Sequence, residues 1–393
     1  MESKHKLSRR EFLAGALAFL GSLALPKSAA GPAPDASSAT EYYLPYIAHH
    51  AVDLRGKVVH VHSSAATNWQ GQTAFWNYAN QSVVNQMLNQ GLMALTHTDT
   101  IADAWRALIP NYQSGQKVAI KVNMNNASAC NETDGVIDAI IEPVNAVVSG
   151  LESIGVARAD VWVYDAVRAI PAHFSANALP GIQFFDGSYL GTCYNWAGFS
   201  YTPDAYITYN PPPGVSIPPT VVTDVVRNAA YLVNMPIMKG GHPLASVTLG
   251  FKNHFGSTNN PSGMHDSVNV MEQPPTYRTD YNALVDLYRC PHLGPKTVLT
   301  VGDGLFAAKG FASPPAVWST FGNHLPNSLF LATDPVAVDC VMHDFLLAEP
   351  GTGVVSGANN YLCLAQDAGL GIFESADPWS GSYARIKYQK IEV

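Results

Sequence analysis

The stretch MKGGHPLASVTLGFKNHFGS, residues 238–257, gathers Lys239, His242, Lys252, Asn253 and His254 into one glycine-rich segment behind the apolar run YLVNMP. Glycines let backbone N–H groups approach a ligand closely. Lysines hold a carboxylate or phosphate, and a histidine moves protons or binds metal. Lys239, His242, Lys252 and Asn253 are therefore candidates for an anion or cofactor cradle, with His242 as its proton-transfer group. The plainer alternative is a surface loop with solvated lysines. In VYDAVR, Asp165 and Arg168 suit a substrate-orienting pair, because arginine grips a carboxylate through two parallel hydrogen bonds. A local salt bridge is the alternative there. Asp303, between Gly302 and Gly304, suits a metal ligand, a general base or simply a tight turn. Candidate metal ligands are His242, His254 and Asp303.

These residues need elements to carry them. KVVHVH (57–62), KVAIKVN (117–123), DVWVYDA (160–166), AAYLVNMPIM (229–238), TVLTVGDG (297–304) and SLFLAT (328–333) read as strands. Residues 82–95, 136–155 (with a kink at Pro143) and 334–348 read as helices. Strands alternating with helices predict an α/β fold, a mainly parallel sheet with helices on both faces, in one or two lobes. Each strand ends in polar residues: Lys121 and Asn123, Asp165 and Arg168, Lys239 and His242, Asp303, Asp334. The carboxyl ends of parallel strands are where open α/β sheets bind ligands, so one composite site is expected there. Asp334 also fits a helix cap before Pro335. Asp339 and His343 share a helix face, as a metal pair or a hydrogen-bonded one. His60 and His62 point to one side of their strand and would line the site with Lys121 and Asn123 if they belong to it.

The pieces VAIKVNMN, VYDA, YLVNMPIMKGGHPLASVTLGFKNHFG, VGDGLF and LATDPVAVD resemble the bacterial and archaeal family called domain of unknown function 362, across most of residues 58–350. Some members of that family carry ferredoxin-type cysteine runs. This chain has none, so an iron–sulfur cluster is not expected. One local feature is also similar to nickel-pincer lactate racemases. Asp165-Ala-Val-Arg168 leads to Pro171, and His242 lies ten residues before Lys252. The chain departs from that pattern at Phe251, which leaves a single glycine before the lysine.

The N-terminus decides the expected compartment. Ser8-Arg9-Arg10-Glu11-Phe12-Leu13 precedes a short apolar run and Ser28-Ala29-Ala30, the pattern of a twin-arginine signal peptide over residues 1–30. A linker over 31–57 and one domain over 58–393 would follow. The expected location is periplasmic or extracellular, with the twin-arginine translocase as a transient partner. The net charge is −8 overall and near −11 beyond residue 30, and no basic stripe is present, which argues against nucleic acid. The five cysteines contain no C-x-x-C, allow one or two disulfides and leave at least one thiol. No Gly-x-Ser-x-Gly elbow or H-E-x-x-H helix is present. The expectation is an enzyme, oxidoreductase or racemase/epimerase-like, acting on a small anionic molecule with a metal or metal-containing cofactor open. The alternatives are a periplasmic metal, cofactor or small-anion carrier without turnover, and a structural docking module.

Overall fold

The computed structural model describes residues 53–187, 191–268 and 279–393. The expected signal peptide and nearly all of the expected linker lie outside the described residues. Strand β1 (Lys57–His62) leads through helices α1 (Gln81–Thr96) and α2 (Ile101–Leu108) to β2 (Val118–Lys121). Then come α3 (Ile141–Glu152), β3 (Val161–Asp165), α4 (Ala172–Ala176), β4 (Gln183–Asp186) and β5 (Asn195–Trp196). The middle of the chain supplies α5 (Asp224–Asn228), β6 (Tyr231–Asn234), β7 (Ile237–His242), β8 (Ser246–Val247) and the single turn α6 (Gly250–Asn253). The remainder is α7 (Ala283–Arg289), β9 (Thr297–Ala308), β10 (Ser328–Ala332), α8 (Pro335–Ala348), α9 (Asn360–Asp367) and β11 (Lys387–Glu392).

The strands form one sheet in the order β11-β1-β10-β9-β6-β2-β3-β4-β5, with β7 beside β9 and β8 beside β7. From β9 to β5 the pairing is parallel. Alternate side chains of these strands enter two cores. Ile120 and Val163 join α1, α2 and α3 on one face, while Ala119 and Tyr164 join α6 to α9 on the other. Burial on both faces is what the continuous apolar strands required. Asn80 and Thr100 cap α1 and α2 by accepting from backbone N–H groups of the first turn.

Four details differ from the sequence reading. Pro143 falls in the first turn of α3, where no intrahelical N–H is missing, so it starts the helix instead of kinking it; residues 136–140 precede it as loop. The run 229–238 is broken at Pro236 into β6 and β7, so Lys239 and His242 sit on a strand and not in a glycine loop. Strand β10 is antiparallel to both neighbours, so Asp334 emerges at the opposite sheet edge from the other polar strand ends. There it accepts from the N–H groups of Gly56, Val336, Ala337 and Ile372, which makes it a cap and a junction. His60 and His62, on β1, are separated from β2 by β10, β9 and β6. His60 stacks on Phe330 and bonds Tyr388 and Ser328, and His62 pairs with Glu392.

One disulfide joins Cys130, in the loop after β2, to Cys193, just before β5. Cys290, Cys340 and Cys363 are free thiols. No helix among the described residues is long and apolar enough to cross a membrane.

Candidate functional site

Lys121 ends β2 with its side chain fully buried. Its Nζ donates to Asp165 Oδ2 at 2.9 Å, to the Val122 carbonyl at 2.5 Å and to Asn253 Oδ1 at 3.4 Å. Asp165 ends the adjacent strand β3 and also accepts from the N–H groups of Met124 and Val167. Burial lowers the Lys121 pKa, and the Asp165 carboxylate opposes that shift. Asn253, on α6, accepts from Asn123 and donates to Asn234 at the end of β6. Three parallel strand ends are thus tied together by one turn of helix. That approach needs glycine at 256. A Cβ there would lie 2.6 Å from Lys121 Nζ and 2.8 Å from Asp165 Oδ1. Gly250 is similarly pressed against Asp339 Oδ1, at 2.7 Å.

Asp339 fixes α6 from below. Its carboxylate accepts from the N–H groups of Gly250 and Phe251 and from the Tyr361 hydroxyl, and burial raises its pKa to about 7. The expected Asp339–His343 pair does not form; His343 is buried beside Asp344.

Lys252, also on α6, faces different company. Its Nζ lies 3.2 Å from His242 Nε2, 3.4 Å from His265 Nε2 and 4.8 Å from the centre of the Phe255 ring. The two imidazoles are parallel, with centres 5.4 Å apart. Lys252 has no carboxylate partner among the described residues. Burial first, then the charges of Lys239 and Arg168, lowers its pKa to about 7. His242 Nδ1 accepts from the backbone N–H groups of Leu244 and Ala245. Burial and the nearby Lys252, His265 and Lys239 lower the His242 pKa to about 2.

These groups border a cleft of about 160 Å³. Lys121, Asn123, Asp165, Arg168, Lys252 and Asn253 line it, and so do Thr248 and His265, which the sequence did not single out. The Arg168 guanidinium has no ion pair among the described residues. The Thr248 hydroxyl is buried and has no partner among them. Lys239 and His242 are not in the lining; His242 meets it through Lys252. Lys239 is fully buried, with no hydrogen bond to Nζ among the described residues. Burial lowers its pKa, opposed by the fields of Asp138 and Asp165. Asp138, which the sequence reading missed, is raised by its own burial and accepts from Asn126 N–H at 3.0 Å. Its only signal was a carboxylate in the apolar segment VIDAII.

Asp303 and His254 are not among the lining residues. Asp303 is buried on β9, accepts from Leu305 N–H and has its pKa raised by burial to about 7. His254 is buried at the end of α6, 3.3 Å from Ser257 Oγ and edge-on to Tyr288, with its pKa lowered to about 3 by burial. No group of three or more His, Cys, Asp or Glu side chains able to hold a metal ion occurs among the described residues.

No curated protein matches the chain. The family model described as Domain of unknown function (DUF362) matches residues 118–344, from the first residue of β2 to the last turns of α8. The match starts later than the resemblance in sequence implied, since β1, α1 and α2 precede it. It covers every residue that lines the cleft and more than half of the sequence, so the chain belongs to the DUF362 family.

Proposed function

We propose that the cleft takes a small carboxylate-bearing molecule and that the protein is an exported enzyme acting on it. The observation that carries this reading is the charge balance of the lining. Asp165 is the single carboxylate of the lining and Lys121 already neutralises it, which leaves the Arg168 guanidinium as a positive charge with no ion pair among the described residues. In a chain of net charge −8, a cleft whose unpaired charge is a guanidinium favours an anionic ligand. Arg168 would grip the carboxylate in a bidentate fashion. Asn123, Asn253 and Thr248 would accept and donate to the rest of the molecule. Lys252, rather than His242, would be the proton-transfer group, because both nitrogens of His242 are already engaged. The local similarity to racemases, with Asp165 and Arg168 on one loop and His242 touching Lys252, favours proton movement at a carbon beside the carboxylate over redox chemistry. Export is supported by the Ser8–Leu13 pattern and by the Cys130–Cys193 disulfide, a bond that persists in oxidising compartments.

The test is calorimetric titration of the mature protein with acetate, lactate, pyruvate and phosphate. At least one carboxylate should bind, and Arg168→Ala should weaken it about tenfold or more, the value of one charged hydrogen bond. Equal affinity in that variant would remove Arg168 from the site. Binding without turnover of any bound acid would favour a carrier.

A further inference from the structure

We propose that Lys252 is held as a neutral amine and serves as a nucleophile, condensing with the carbonyl of a small 2-oxo acid to form an imine. This rests on the reading of the cleft as a carboxylate site and names the ligand class for it.

The directions of the hydrogen bonds around His242 decide the state of Lys252. Two backbone N–H groups, from Leu244 and Ala245, point at His242 Nδ1 at 3.2 and 3.0 Å. An Nδ1 facing two donors must carry its lone pair there, so the ring is neutral and its proton sits on Nε2. That Nε2–H faces Lys252 Nζ at 3.2 Å. An ammonium has three donors and no acceptor, so against an N–H it would make a donor–donor contact. A neutral amine offers its lone pair, and the contact becomes a hydrogen bond. The surroundings agree. Lys252 is buried, it has no carboxylate among the described residues, and Lys239 and Arg168 add positive charge nearby. Desolvation with a neighbouring cation is the established way to make a lysine nucleophilic near neutral pH.

A 2-oxo acid fits the lining. Arg168 takes the carboxylate, and the adjacent carbonyl carbon then faces Lys252 across the cleft. On ligand entry Nζ turns from His242 and its lone pair attacks that carbon. The C–N bond forms, the carbonyl electron pair moves to oxygen and the oxygen takes up a proton while nitrogen gives one up. Loss of that hydroxyl with a further proton, as water, leaves the imine. Amine and ketone thus yield imine and water, and no oxidant or reductant is consumed. His265 Nε2, 3.4 Å from Nζ, is placed to relay the proton. His242 is a positioning residue, which keeps the amine unprotonated at rest.

The experiment is reductive trapping on the full-length mature protein, with pyruvate or glyoxylate and cyanoborohydride, read by intact mass and peptide mapping. The expected result is one adduct per chain, on Lys252, forming more slowly as pH falls below about 7. The Lys252→Arg variant should bind the acid and give no such adduct. His242→Gln should move the pH midpoint of trapping upwards; a role confined to folding would leave it unchanged. As a ligand-independent check, limiting ¹³C-formaldehyde with cyanoborohydride at pH 7 should methylate Lys252 ahead of exposed lysines. Adducts spread over surface lysines, identical in Lys252→Arg, would overturn the proposal. Calorimetric binding of pyruvate without an adduct would overturn the nucleophile and keep the carboxylate site. Absence of both binding and adduct would overturn both.

Discussion

Burial lowers the pKa of Lys252 to about 7 and that of the half-buried Lys296 to about 8. Their surroundings are opposite. Lys296, in the turn before β9, donates to the carbonyls of Val226, Arg227 and Ala229 at 2.7–2.9 Å, so its three donors close the end of α5. Lys252 instead meets the His242 Nε2–H, which disfavours an ammonium, beside a second imidazole and the Phe255 ring. A perturbed pKa alone therefore does not mark a functional site. What separates the two is whether the neighbours want the charged form. The same contrast divides the sheet. At β1, both ring nitrogens of His60 have partners and His62 pairs with Glu392, whereas at β2 and β3 the polar ends line the cleft.

The largest effect is expected at the buried ion pair. Lys121→Met would leave Asp165 charged and unpaired and should cost about 3–5 kcal/mol in urea denaturation, whereas the double change with Asp165→Asn should recover much of it. A small loss in the single variant would mean that Asp165 finds other donors. Next come the two lysines. Lys296→Met strands three carbonyls and should destabilise by about 1–3 kcal/mol. Lys252→Met should instead stabilise at pH 7.5. The folded protein binds fewer protons at Lys252 than the unfolded chain between about pH 7 and 10.5, so this group makes stability rise with pH there. The gain from its removal should shrink as pH approaches 10.5. Equal signs for the two variants would erase the distinction. The smallest effect is expected at β1. His60→Phe should cost about 1 kcal/mol for removing the partner of the Tyr388 hydroxyl, with no change in carboxylate binding.

Much of this was legible in the sequence, for identifiable reasons. Apolar runs separated by helical spacing gave the sheet and its two covered faces. Polar residues just past VAIK and VWVY pointed to Lys121, Asn123, Asp165 and Arg168, which do converge. The direction of β10 was not legible, since an apolar run such as SLFLA reads alike both ways, and Asp334 was therefore assigned to the wrong edge. His265 and Thr248 carried no local signal, because their role arises from folding β7, β8 and α6 back on themselves. Asp303 and His254 had the right chemistry at plausible positions, yet burial among their own neighbours keeps them out of the cleft lining.

The bond from Asp339 to α6 has a temporal consequence. The lysine side chain that faces the cleft is seated by a carboxylate 87 residues further along, on α8. As the chain leaves the ribosome, β2, β3 and the segment bearing Lys252 emerge well before their anchor does. Until then Lys252 is an ordinary solvated ammonium, indifferent to the carbonyl metabolites around it. On the proposed reading the amine acquires its reactivity only after α8 has emerged and docked, so a chain still lacking that helix is protected from its own chemistry.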